Sequence, residues 1–151
     1  MKEKVLIVDD DATIVNLLAT ILEMDGFQPC KASSGEEAFE SIDKEPPDLV
    51  LLDIMMPEMD GLEFLSRLRS NPMTEQIPVV ILTVLSDRED VLEGWLRKAD
   101  GYVTKPFDPR ELEKTLRNVL DRSEDERVQE RARRLQQLRE SVRRRRRDFE
   151  P

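Results

Sequence analysis

The sequence predicts an α/β fold: a doubly wound, five-stranded parallel sheet with five helices, followed by a C-terminal helical extension. Two periods alternate through the first 120 residues, short apolar runs of strand length and stretches with apolar residues at helical spacing. The apolar runs carry almost no polar residues, as expected of parallel strands covered on both faces. The links between them are short, so consecutive units must wind along one sheet.

The elements follow in order. Val5-Leu6-Ile7-Val8 is the first strand. Ile14, Leu17, Leu18, Ile21 and Leu22 repeat at helical spacing, with Asp11 placed as N-cap and Gly26 in the C′ position. Phe27 to Ala32 is a weaker strand. Ser34 with Glu37 makes a capping box for a helix through Ala38, Phe39 and Ile42, which Pro46-Pro47 ends. Leu49-Val50-Leu51-Leu52 is the third strand. Pro57 to Gly61 is a loop, and Leu62, Leu65 and Leu68 mark the third helix. Val79-Val80-Ile81-Leu82 is the fourth strand. Val91, Leu92, Trp95 and Leu96 mark the fourth helix, with Trp95 expected in the core. Tyr102-Val103-Thr104 is the fifth strand, and Leu112, Leu116, Val119 and Leu120 lie on the fifth helix.

A chain of 151 residues is long enough to bury a sizeable core. Apolar runs such as Val5–Val8 and Leu49–Leu52 fall far short of the ~20 residues of a membrane span. The start, Met1-Lys2-Glu3-Lys4, lacks a signal-peptide layout, so a cytoplasmic location is expected. Cys30 is the sole cysteine, which rules out an internal disulfide and fits a reducing compartment. The chain has no histidine, which excludes histidine bases and histidine metal sites. Charge is uneven: residues 1–107 hold 10 Lys and Arg against 22 Asp and Glu, whereas residues 108–151 hold 14 against 11. An acidic body repels nucleic acid, so nucleic acid is not expected as its partner.

Ligands of such sheets bind at the carboxyl ends of the strands. The residues there are Asp9, Asp10 and Asp11 after the first strand, Asp53 after the third, Thr83 after the fourth, and Lys105-Pro106 after the fifth. Clustered carboxylates repel one another unless a cation sits among them. Mg2+ takes carboxylate and carbonyl oxygens and accepts phosphoryl oxygens as well. A carboxylate can attack a phosphoryl group to give an acyl phosphate, with a lysine and a hydroxyl offsetting charge on the phosphoryl oxygens. Alone, Asp9 to Asp11 could simply cap a helix, Thr83 could be a β-branched strand residue, Tyr102 could be packing and Lys105 a solvated lysine.

In combination these residues resemble the response-regulator receiver family. Val5 to Asp11 is similar to its first strand and acidic pair, and Leu51 to Pro57 to its phosphoacceptor strand and loop. Asp60-Gly61 matches the turn that follows, Ile81-Leu82-Thr83 the switch-hydroxyl strand, and Ala99 to Phe107 the last strand with its lysine. The resemblance covers residues 1 to about 120 in one colinear frame. It implies strand order 2-1-3-4-5, a receiver domain over residues 1–121 and an Arg-rich extension over 122–151. It implies that Asp53 is phosphorylated, that Asp10 binds Mg2+ directly with Asp9 assisting, and that the Met55 backbone carbonyl is a further ligand. Thr83 and Tyr102 would be the switch pair, Lys105 the phosphate partner, and the Lys105-Pro106 bond cis. The implied partners are a sensor histidine kinase or histidine phosphotransfer protein upstream and an unknown protein downstream, through the face of the fourth helix, fifth strand and fifth helix. Beyond accepting and losing its own phosphoryl group, such a domain is not an enzyme.

Two departures from the family pattern stand out. Lys98 occupies a position where the family has glycine, so the loop after the fourth helix is expected to differ. Met55 and Leu85 fill the two variable positions beside the phosphoryl site. Both are apolar and unable to orient water strongly, which predicts slow self-dephosphorylation.

Two rival readings compete. Asp9-Asp10-Asp11-Ala12-Thr13 also matches the nucleophile motif of the haloacid dehalogenase phosphatases, which would make Asp9 the nucleophile of a Mg2+-dependent enzyme. That family needs a further acidic pair after the lysine, which no strand supplies, and the reading leaves Asp53 and Pro57 unexplained. The other rival is a constitutive dimerisation module with a vestigial acidic site.

The extension runs without Pro or Gly from 122 to Pro151. Ser123 and Glu126 form a capping box for a second helix, although one continuous helix is also allowed. Val128, Leu135 and Val142 recur every seven residues with Leu138 beside them, but Arg131 and Arg145 interrupt the seam. A short homodimeric coiled coil and a solvated single helix both fit. Arg143 to Arg147 could touch nucleic acid, anionic lipid or an acidic protein face, or could only solubilise. The tail is too short for a folded output domain. The chain is expected to be either a complete regulator or the front part of a longer protein.

Overall fold

The computed structural model describes residues 2–54, 60–83 and 88–149. Five strands, β1 (Lys4–Val8), β2 (Gln28–Ala32), β3 (Leu49–Asp53), β4 (Val79–Thr83) and β5 (Gly101–Thr104), form one parallel sheet in the order β2-β1-β3-β4-β5. They alternate with α1 (Ala12–Met24), α2 (Gly35–Lys44), α3 (Gly61–Ser70), α4 (Arg88–Leu96) and α5 (Pro109–Asp121); α6 (Glu124–Phe149) follows. The fold class and strand order are those expected.

Alternation along each strand divides the core in two. Val5, Ile7, Leu49, Leu51, Val80, Leu82 and Val103 face Leu18 and Leu22 of α1 and Leu112 and Leu116 of α5. Leu6, Val8, Val50, Leu52, Val79 and Ile81 face Ala38 and Ile42 of α2 and Phe64, Leu65 and Leu68 of α3. Because both faces are covered, the strands of one cluster's register need apolar residues at every position.

The caps fix where helices begin and end. Asp11 accepts from the Thr13 and Ile14 amides to start α1. Gly26, at φ 89°, ends that helix with hydrogen bonds from its own amide to Glu23 and from the Phe27 amide to Leu22. The α2 capping box closes differently from the simple pattern. Ser34 Oγ accepts from the Glu37 amide, but the Glu37 carboxylate reaches back to the amide and hydroxyl of Ser33. Those bonds hold the Glu37 carboxyl below its ordinary pKa. Asp108 caps α5, with Pro109 in the first turn.

The expected departure at Lys98 resolves in favour of the turn. Lys98 adopts φ 70° and keeps the same two-bond helix ending, its amide on Trp95 and that of Ala99 on Gly94. Its carbonyl accepts two hydrogen bonds from Arg69, at 3.0 and 2.9 Å, which hold a conformation that is costly for a side-chain-bearing residue.

α5 and α6 are separate helices. Arg122 is extended, and Ser123 and Glu126 make the reciprocal capping box, each amide donating to the other's side chain at 3.1 Å. α6 turns back and packs along α4. Arg131, an interruption of the heptad seam, faces the body, while Val128 in that seam stays 51% exposed.

Candidate functional site: an acidic cluster at the carboxyl edge

The sheet brings the sequence-selected residues together at one edge. Asp9 directly follows β1, Asp53 ends β3, Thr83 ends β4, and Lys105 follows β5. Parallel register sets Val8 beside Leu52, and Thr83 beside Thr104, so the strand ends lie level.

Asp9, Asp10 and Asp53 each offer a carboxylate oxygen within 4.8 Å of the others. Asp9 and Asp53 are buried, at 1% and 6% exposure, and Asp10 is open to solvent. Asp9 is held from both sides: Oδ1 accepts from the Asp11 amide at 3.0 Å, and Oδ2 accepts from Lys105 Nζ at 3.2 Å. The same ammonium lies 3.7 Å from Asp53 Oδ2. Among the described residues, one ammonium thus meets Asp9 and Asp53 of the three clustered carboxylates. The excess negative charge, the hard oxygen donors and the one solvent-facing member make this set fit a divalent ion of the Mg2+ type.

Lys105 is positioned by the backbone. Its amide donates to the Thr83 carbonyl at 2.8 Å, and the Lys105-Pro106 peptide is cis, as expected. Thr83 is buried at the end of its strand. Gly61 is required for a steric reason: a Cβ there would overlap the Asp53 carbonyl oxygen and the Ile54 Cα. The chain entering α3 therefore passes directly against the Asp53 backbone, and the Gly61 amide donates to the Ile54 carbonyl. Met55 and Leu85 lie outside the described residues, and so does Pro57.

Tyr102 sits away from this edge, on β5. Its hydroxyl donates to the Val91 carbonyl of α4 at 3.2 Å, and its ring lies 5.7 Å from that of Trp95. Gly94 makes this possible, since a Cβ there would overlap the Tyr102 hydroxyl. Trp95 is buried as expected. It also lines a cavity of about 400 Å³ that Tyr102, Val119 and Leu138 of α6 share.

A second polar centre, which no local sequence pattern marks, surrounds Asp100. This carboxylate, 3% exposed, stands just before β5. Oδ2 accepts from the Val79 amide at 2.8 Å and from Arg69 at 3.0 Å. Oδ1 accepts from Arg131 Nε and Nη2 of α6 at 2.9 and 2.7 Å. Arg127 of α6 approaches to 3.9 Å. Burial lowers the Arg69 guanidinium to a pKa of about 10, and the Asp100 charge opposes that fall, so it stays protonated at neutral pH.

The response regulator receiver domain family matches residues 5–117. The chain is 41% identical over 124 residues to the alkaline phosphatase synthesis transcriptional regulatory protein PhoP of Bacillus subtilis, covering 82% of this chain and 51% of that one. It is 39% identical over 122 residues to the phosphate regulon transcriptional regulatory protein PhoB of Escherichia coli, covering 81% and 53%. The chain thus spans about half the length of these relatives. Among solved structures, chemotaxis protein CheY4 of Vibrio cholerae superposes with a TM-score of 0.75 at 34% identity, covering 79% of this chain and 99% of that one. Among the described residues no helix is long and apolar enough to cross a membrane. The chain belongs to the response regulator receiver domain family, the phosphorylation-controlled switch of two-component signalling.

Proposed function

We propose that this chain receives a phosphoryl group on Asp53, and that Asp9, Asp10 and Lys105 make the transfer possible. The observation that carries the reading is the cluster itself, three carboxylate oxygens within 4.8 Å of one another beside one ammonium. Asp53 Oδ attacks phosphorus, the donor's N–P bond breaks, and the departing imidazole takes up a proton, leaving an acyl phosphate. These 151 residues hold no histidine, so the phosphohistidine lies outside them, on a sensor histidine kinase or a histidine phosphotransfer protein. Asp9, Asp10 and Asp53 would hold Mg2+, with the Met55 carbonyl as the further ligand that the family resemblance implies, and the ion would supply neutralising charge for the carboxylates and the phosphoryl oxygens.

Lys105 lies within reach of Asp53 and offsets charge on the incoming group. Thr83 donates to a phosphoryl oxygen, and Tyr102 transmits the change to the α4–β5–α5 face, where a downstream protein reads it. Asp9 is engaged at both oxygens and 1% exposed, and the receiver-family match over residues 5–117 favours Asp53 over the phosphatase alternative.

The test is incubation of the intact chain with Mg2+ and acetyl phosphate, followed by intact mass and peptide mapping. One phosphoryl group is expected on the peptide holding Asp53, dependent on Mg2+ and absent from Asp53→Asn. Labelling that survives Asp53→Asn and disappears in Asp9→Asn overturns the assignment.

A further inference from the structure

We propose that the surface of α4 and β5 is a docking seat for an arginine-bearing helix, that α6 of the same chain occupies it as a cover, and that Tyr102 couples its release to the phosphoacceptor edge. The coupling rests on the reading of Asp53 and Tyr102 given above; the seat does not.

The seat is built around a buried charge. Asp100 already has a full partner within the body, since Oδ2 is satisfied by Arg69 and by the Val79 amide. Its other oxygen is left facing outward, and a buried carboxylate oxygen without a donor is costly. Arg131 supplies a two-nitrogen fork to that oxygen, the geometry that favours arginine over lysine. Arg127, one turn earlier, donates to the carbonyls of Gln76 and Arg122. The partly covered residues of α6, Arg127, Glu130, Arg131, Leu135, Leu138, Ser141 and Val142, recur at helical spacing and trace one stripe. α6 therefore turns Leu135, Leu138 and Val142 of the heptad spacing toward the body together with Arg127 and Arg131.

The fit is reversible by construction. Arg127 Nε is buried without a hydrogen-bond partner, 3.9 Å from Asp100. The cavity between α6 and the body is unfilled by side chains. Val128, one helical turn before Arg131, remains 51% exposed. A helix held by a charged clasp over an incompletely packed surface leaves at modest cost.

The floor of the seat is the switch side chain. Tyr102 and Trp95 line the cavity beneath Leu138, and the Tyr102 hydroxyl is held by α4 through Val91. α6 runs from Asp100 and Gln76, at the amino edge of the sheet, toward Val91 near the start of α4. Its second half thus heads for the carboxyl edge. Any movement of Tyr102 changes the cavity wall that faces Leu138, and by linkage an α6 seated over that wall opposes the movement.

Hydrogen exchange read by mass on the full chain tests this. Slow exchange is expected over Arg127 to Leu138 in wild type. Arg131→Gln, which leaves the Asp100–Arg69 pair intact, is expected to speed it roughly tenfold or more, the effect of losing a charge-assisted bond, with sheet amides unchanged and Arg131→Lys partly restoring it. Gly94→Ala, which forces Tyr102 from its place, is expected to speed α6 exchange without any phosphodonor. Acetyl phosphate with Mg2+ should do the same in wild type once mass confirms label on Asp53. Equal α6 exchange in wild type and Arg131→Gln overturns the seat. Unchanged exchange in Gly94→Ala, or in labelled wild type, overturns the coupling. Protection that rises with protein concentration means that a second copy's helix fills the seat and overturns the intramolecular assignment. If Asp53 takes no label, the functional reading fails, while the two variants still decide this one.

Discussion

Replacing Asp100 with alanine removes the one carboxylate that neutralises Arg69 inside the protein. The Arg69 side chain is 5% exposed. It keeps its hydrogen bonds to the carbonyls of Lys98, Glu75 and Ile77, so its donors stay satisfied, but its charge does not. The Val79 amide at the start of β4 also loses its acceptor. Breaking a buried pair by deleting one member costs about 3–5 kcal/mol. In a protein of this size that lowers the melting temperature on the order of 10 °C. Urea denaturation followed by far-ultraviolet circular dichroism measures the free energy directly. Arg131→Gln serves as the internal comparison, because it removes a partner from the helix side only and leaves Arg69 neutralised; about 1–2 kcal/mol is expected. An Asp100→Ala variant that loses less than about 1 kcal/mol refutes the argument that Arg69 is held charged by Asp100.

Three further outcomes are expected. Lys105→Ala should slow phosphoryl acceptance by roughly 10²–10³-fold, the scale of removing a preorganised charge partner, measured as the rate of labelling by acetyl phosphate. Phospho-Asp53 in wild type should decay slowly, and Met55→Asn should hasten its loss by about tenfold, worth roughly 1.4 kcal/mol from one hydrogen bond to the attacking water; equal lifetimes would count against the role given to Met55. The start of α6 should loosen in acid. Hydrogen bonds from Ser123 lower the Glu126 pKa below the ordinary 4.5, and those from Arg133 lower that of Glu130. A depressed folded value means that the contribution is present above 4.5 and fades as pH falls through the lower folded value. Protection of α6 amides, taken against the intrinsic exchange rate at each pH, should therefore fall in that window, and Glu126→Gln should flatten part of the fall.

Much of the fold is legible because periodicity and caps agree. The strands from Val5, Leu49 and Val79 carry apolar residues on both faces, and Asp11, Ser34 and Ser123 each mark a helix start. The acidic cluster is legible because strand ends are adjacent in sequence to their functional residues. The Asp100 centre is not, since its members come from four separate places, and each is one charged residue among many. Nothing local distinguishes Arg131 from its neighbours; only the fold back of α6 brings it to β5. Gly94 is equally silent, because its need is set by a tyrosine on another element. Arg131, which interrupts the heptad spacing of the extension, meets Asp100 of the body.

The account turns on which carboxylate carries the phosphoryl group. Borohydride reduces an aspartyl phosphate to homoserine at the position that was labelled, so the chain treated with phosphoramidate and Mg2+ can be trapped and sequenced. Homoserine at position 53 is the expected result. Homoserine at position 9 or 10, with position 53 unmodified, contradicts it.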